Sequence, residues 1–120
     1  MVRQWRYHRG LGDDGFTPGP VTKQGGTFPM WLVPDAEQHF LYAVSSPDGE
    51  AEGCVHAYDL CGGLKPVGEK QSVGGAVPCH CSVNGSTLLV ANYVGGNICA
   101  LPILDDGSLS HGPWSHSDAA

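Results

Sequence analysis

The chain has 120 residues, enough for one domain with a modest core and too few for two. Its 18 glycines and nine prolines mark a turn-rich chain poor in helix, while 41% hydrophobic and 15% charged residues argue against disorder. Twelve acids against six bases leave a formal charge of −6, which repels a phosphate backbone and disfavours nucleic acid as a partner.

Arg3, Arg6 and Arg9 supply half of the bases, but Asp13 and Asp14 follow closely and no apolar run resembles a signal peptide. Apolar stretches such as Leu88 to Ala91 fall far short of the roughly 20 residues a membrane-spanning helix needs. The expectation is a soluble, cytoplasmic protein without a membrane partner. Cys54, Cys61, Cys79, Cys81 and Cys99 form an odd set with no secretion signal, which favours reduced thiols over a disulfide framework.

The first repeated element is a weak one, DDGFTPGP (Asp13 to Pro20), whose Gly15 and Phe16 stand 48 residues before Gly63 and Leu64. FPMWLV (Phe28 to Val33) then opens a clearer unit and is matched 49 residues later by VPCHCS (Val77 to Ser82). HFLYAVSS (His39 to Ser46) is set against TLLVANYV (Thr87 to Val94) at a spacing of 48, pairing Leu41 with Leu89 and Ala43 with Ala91. CVHAYDL (Cys54 to Leu60) answers NICALPIL (Asn97 to Leu104), with Val55, Ala57 and Tyr58 against Ile98, Ala100 and Leu101. Glycine turns follow in both copies, CGGLKPVG and DDGSLSHG, where glycine takes a positive φ and the next Leu returns to the core.

Short Val, Leu and Tyr runs bounded by Gly, Pro, Asn and Asp are strand signals, and a period of 45 to 50 residues is that of propeller blades. The expected fold is all-β, with four-stranded antiparallel sheets forming two to two and a half propeller blades. The units run over about 28–76 and 77–120, with a partial unit over 1–27, in one partial domain. The rival is a small β-sandwich that reuses its turns.

GGAVPCH (Gly74 to His80) and VANYVGGNI (Val90 to Ile98), within a match from about Thr27 to His111, resemble the lactonase family of seven-bladed propellers. That family includes bacterial 6-phosphogluconolactonase and fungal 3-carboxymuconate cyclase. Pro78, Cys79, His80, Ala91, Asn92 and Tyr93 match the family pattern position by position. The Ser-Pro-Asp-Gly-like turn of the family is replaced by VPDAEQ in one copy and by a shorter VNGS in the other. Two and a fraction blades where the family uses seven lead to the expectation of an N-terminal portion whose main catalytic residues lie elsewhere, with bare blade edges prone to self-association.

Cys79, His80 and Cys81 invite a metal reading. In a regular strand Cys79 and Cys81 share one face and His80 takes the other, so three ligands do not converge, and no two well-spaced ligand pairs exist. The expectation is no metal and no cofactor, with the cysteines as small apolar residues. The resemblance places the start of the His80 strand at the central channel, where an imidazole can hydrogen-bond a sugar acid or relay a proton; the alternative is a structural histidine closing the GGAVP turn. Asn92 either orients a substrate hydroxyl or caps its strand. Tyr93 is expected to pack, and His39 and His56 to be exposed. No Gly-x-Ser-x-Gly elbow surrounds Ser45, Ser46 or Ser72, and no phosphate loop follows the Gly-Gly pairs.

The resemblance implies a lactonase: a carboxylic ester hydrolase of the 6-phosphogluconolactonase type acting on a small lactone, in which a channel base activates water and cations hold the anion and the oxyanion. His80 and Asn92 are the expected substrate-binding residues. Beyond the arginines only Lys23, Lys65 and Lys70 carry positive charge, so the alternatives are a non-catalytic propeller module and a carboxymuconate cyclase-type lactonising enzyme.

Overall fold

Alternating apolar and polar residues between glycine-rich turns produce hydrogen-bonded ladders throughout. The structure, a computed structural model, describes residues 2–7, 16–22, 28–47, 52–110 and 114–117. The readings placed on Arg9, Asp13, Asp14, Gly15, Lys23 and His111 lie outside these residues. Strands β1 (Val2–Tyr7) and β2 (Phe16–Thr22) pair with each other. A second sheet contains β3 (Pro29–Pro34), β4 (Phe40–Ser45), β5 (Glu52–Asp59), β6 (Lys65–Pro66) and β7 (Gln71–Ala76). A third contains β8 (Pro78–Asn84), β9 (Thr87–Asn92), β10 (Asn97–Pro102) and β11 (Trp114–Ser117). All pairings are antiparallel, and the described residues contain no α-helix.

The third sheet is the expected four-stranded unit, ordered β8-β9-β10-β11. In the second, the outermost position is shared by β6 and β7, which both pair with β5 and are separated by a turn in which Gly68 takes a φ of 70°. β3 and β8 are the opposite edges, and they lie against each other. The chain therefore leaves the first of these sheets at its outer edge and begins the next at its inner edge, the connection of a propeller.

The ladders give the structural repeat directly. Both inner strands carry a β-bulge at the same place, between Pro29 and Trp31 and between Pro78 and His80. Across the sheets, Trp31 pairs with Val44 and Val44 with Val55, while His80 pairs with Ala91 and Ala91 with Ile98. Trp31 and His80 are thus equivalent, as are Val55 and Ile98, in agreement with the spacings read for the first and third strands. The pairing of Leu41 with Leu89 is corrected. Tyr42 is the equivalent of Leu89, because Tyr42 faces Val33 and Ala57 as Leu89 faces Ser82 and Ala100. The turn over residues 35–40 is replaced by the shorter one over 84–87, so the spacing falls from 49 before the turn to 47 after it. A slip of one residue reverses every side chain between the two faces, so this difference decides which residues are core.

The core lies between the two sheets. Tyr42, Val44, Val55, Ala57 and Val73 meet Cys81, Leu88, Val90, Cys99, Leu101 and Leu109. Each large apolar side chain buried here contributes about 1.5–3 kcal/mol. On the other side of the second sheet, Ala43, Tyr58 and Leu64 form a smaller cluster. On the far side of the third, Leu89 and Ile98 remain exposed.

Candidate active site

Two equivalent backbone devices shape the ends of the inner strands. Phe28 and Val77, each followed by proline, take φ values of 54° and 53°, and each offers its carbonyl to the N–H of the residue just past the second strand, Ser46 and Tyr93, at 3.1 and 2.8 Å. A positive φ is costly for a β-branched valine, and two copies of the same turn show that the surrounding ladder imposes it.

The second copy is reinforced by asparagines. Asn92 is only 3% exposed and donates its amide N–H to the Val73 carbonyl at 2.9 Å, while Asn97 donates to the Gly74 carbonyl at 3.1 Å. These bonds fasten the crossover between the sheets over the β9–β10 turn, and Gly95 adds a backbone bond to the Ala76 carbonyl at 3.1 Å. Gly75 must lack a side chain, because a Cβ there would lie 2.3 Å from Asn97 Oδ1 and 2.7 Å from Asn92 Nδ2. The Asn92 side chain therefore lies beneath the crossover, with its amide bonded to Val73.

His80 stands at the surface on the inner strand, next to the bulge. Its ring centroid is 4.8 Å from that of Trp31, with the planes tilted by 47°, so the equivalent residues of adjacent sheets touch. Trp31 is 44% exposed. On its other side His80 borders a shallow hollow of about 140 Å³ with Ser82, Leu89, Ala91 and Ile98. The bulge corrects the simple alternation expected for Cys79 and Cys81: Cys81 is buried in the core, whereas Cys79, the extra residue of the bulge, is half-buried with its thiol 3.6 Å from the Ala91 carbonyl. Burial pushes the Cys81 thiol up to about 12, which makes it a packing residue rather than a nucleophile. Among the described residues no group of three His, Cys, Asp or Glu side chains is placed to hold a metal ion.

Two further expectations are corrected. Tyr93 is exposed rather than packed, since it sits in the turn after β9. His56 is half-buried beside Tyr58, with ring centroids 6.1 Å apart, and burial lowers its pKa below the ordinary histidine value. His39 is exposed as expected, 3.4 Å from Glu37. A larger hollow of about 480 Å³ opens at the other end of the strands, but Asp35, Glu37 and Asp105 line it and would repel a sugar acid. Trp31 was not singled out in the sequence; its equivalence to His80, 49 residues on, was the available signal.

Residues 16–116 match the family model described as Lactonase, 7-bladed beta-propeller. The chain belongs to this family. Over 83 residues it is 29% identical to 6-phosphogluconolactonase of Bacillus subtilis (strain 168), covering 68% of this chain and 24% of that protein. Solved structures of two proteins assigned as 6-phosphogluconolactonases are also similar. That from Bacteroides uniformis ATCC 8492 superposes with a TM-score of 0.75 at 28% identity, covering 98% of this chain and 34% of the other. That from Bacteroides fragilis NCTC 9343 gives 0.73 at 29% identity, covering 91% and 30%. This lactonase-family chain thus spans between a quarter and about a third of the length of these relatives.

Proposed function

We propose that the chain forms part of a lactone-hydrolysing site of the 6-phosphogluconolactonase type, with His80 in contact with the substrate. The observation that carries this reading is the exposed imidazole at the inner edge of the third sheet, held against Trp31 in a chain of the lactonase family. In the proposed reaction, water adds to the lactone carbonyl, the acyl carbon–ring oxygen bond breaks, and a proton passes from the water to the departing ring oxygen. A surface imidazole is suited to relaying that proton near neutral pH. Asn92 acts indirectly, by fixing the crossover that leads into the His80 strand. The reading assigns the chain to the cytoplasm as a propeller-type domain, supported by five free cysteines. It also has the far face of the β8–β10 sheet prone to self-association, since Leu89 and Ile98 are open there.

A second reading, a binding module without turnover, is favoured by one feature. The lysines whose side chains are described, Lys65 and Lys70, lie in β6 and just before β7, at the sheet edge away from His80. Hydrolysis of 6-phosphogluconolactone above its spontaneous rate, measured on purified chain of known solution mass, tests the two. Turnover abolished by His80→Ala supports the first, and ligand binding without turnover supports the second.

A further inference from the structure

We propose that Trp31 is a substrate-positioning residue whose indole face receives the C–H face of the sugar ring while its contact with His80 holds the imidazole toward the ring's polar edge; this rests on the reading above. Three observations converge. Trp31 occupies the position in its sheet that His80 occupies in the next, immediately after the shared bulge, so the two side chains come from a repeated geometry at the inner edges. Their rings meet at a centroid separation inside the range of favourable aromatic contact. The indole keeps nearly half of its surface open, although its strand neighbours the core through Val33.

The open part of the indole is a surface a ligand can cover, because aromatic side chains bury roughly 150–250 Å² when they pack fully. The negative face of the indole attracts weakly positive C–H groups, and a gluco-configured sugar ring presents these on its face and hydroxyls around its edge. Trp31 and His80 together offer both an apolar face and a hydrogen-bonding edge. The hollow at the opposite end also has apolar and polar lining, but the carboxylates of Asp35, Glu37 and Asp105 there oppose an anionic ligand.

The test is titration of the full chain with glucose 6-phosphate, which keeps the six-membered ring and the phosphate of the lactone but has no acyl bond to hydrolyse, followed through the ligand's proton resonances and by calorimetry, for the unsubstituted chain and for Trp31→Leu, Trp31→Phe and His80→Asn. The expected result is an upfield ring-current shift of the ligand C–H protons that disappears in Trp31→Leu, with affinity falling roughly tenfold. Trp31→Phe should restore the shift and keep affinity within about threefold, which a residue acting only through the fold would not do. Loss of affinity in His80→Asn with none in Trp31→Leu overturns the role of Trp31 and leaves the reading of the site intact. Absence of binding by the unsubstituted chain overturns both.

Discussion

The Tyr42 hydroxyl donates to the Gly107 carbonyl at 2.8 Å, joining the second strand of one sheet to a turn of the next across 65 residues. Tyr42 is fully buried, and Gly107 takes a φ of 87° with Phe40 so close that a Cβ would lie 2.5 Å from its ring. Tyr42→Phe keeps the ring and removes the bond, leaving a buried carbonyl unpaired. A loss of about 1–3 kcal/mol is expected in urea denaturation. Gly107→Ala, which must displace Phe40 and strain the backbone, should cost at least as much.

Alkaline pH should unfold the protein through the same core. Burial pushes the thiols of Cys81 and Cys99 up to about 12 and about 11 from 9.0, and the hydroxyls of Tyr42 and Tyr58 up to about 12 from 10.0. Each folded-state value lies above the unfolded one, so the stability from the protonated groups is complete below pH 9 and is lost as pH rises from there through about 12. Denaturation midpoints at pH 8, 10 and 11 should fall in that order. A flat profile across this window would contradict the burial of these groups.

Asn92 should behave as a structural residue. Asn92→Ala removes the amide bond to Val73 and is expected to cost about 1–3 kcal/mol. Gly75→Ala should destabilise to a similar extent by intruding on the same amide. Because both changes act on one cluster, the double variant should lose less than the sum. Substrate affinity per folded molecule should fall less in Asn92→Ala than in His80→Ala, which calorimetry at a temperature well below unfolding would check.

Equivalent positions should respond differently to charge. Val55 is fully buried between the sheets, whereas Ile98 is 46% exposed on the far face. Val55→Asp should cost roughly 3 kcal/mol or more, and Ile98→Asp less than about 1 kcal/mol. Light scattering on Ile98→Asp would show whether opening this face to charge also reduces self-association.

The cysteines should separate by reactivity. Cys61 is exposed in the turn after β5, while Cys81 and Cys99 are buried. A thiol-directed reagent should label Cys61 first and leave Cys81 and Cys99 intact until the protein unfolds, as peptide mapping by mass would reveal.

By itself, the sequence determined the first three strands of each repeated unit and the turns between them. Apolar runs such as Phe40–Ser45 and Thr87–Asn92 are too short for helices and are flanked by turn residues, which favours strands, and the Pro-led openings 49 residues apart mark equivalent inner strands. His80 was legible because it sits beside a proline-led turn in a recognisable motif. Tertiary structure decided facing. The shorter turn over residues 84–87 shifts the second strand by one place relative to a spacing of 48, which no local preference reveals, since an apolar residue suits either face of a sheet packed on both sides. It also decided that Asn92 turns under the crossover, because its partner carbonyl at Val73 comes from a strand of the other sheet. The bulges separate Cys79 from Cys81, and edge-to-edge contact of the two inner strands brings Trp31 to His80. These pairings depend on how one sheet lies on the next, a long-range relation that local periodicity does not encode.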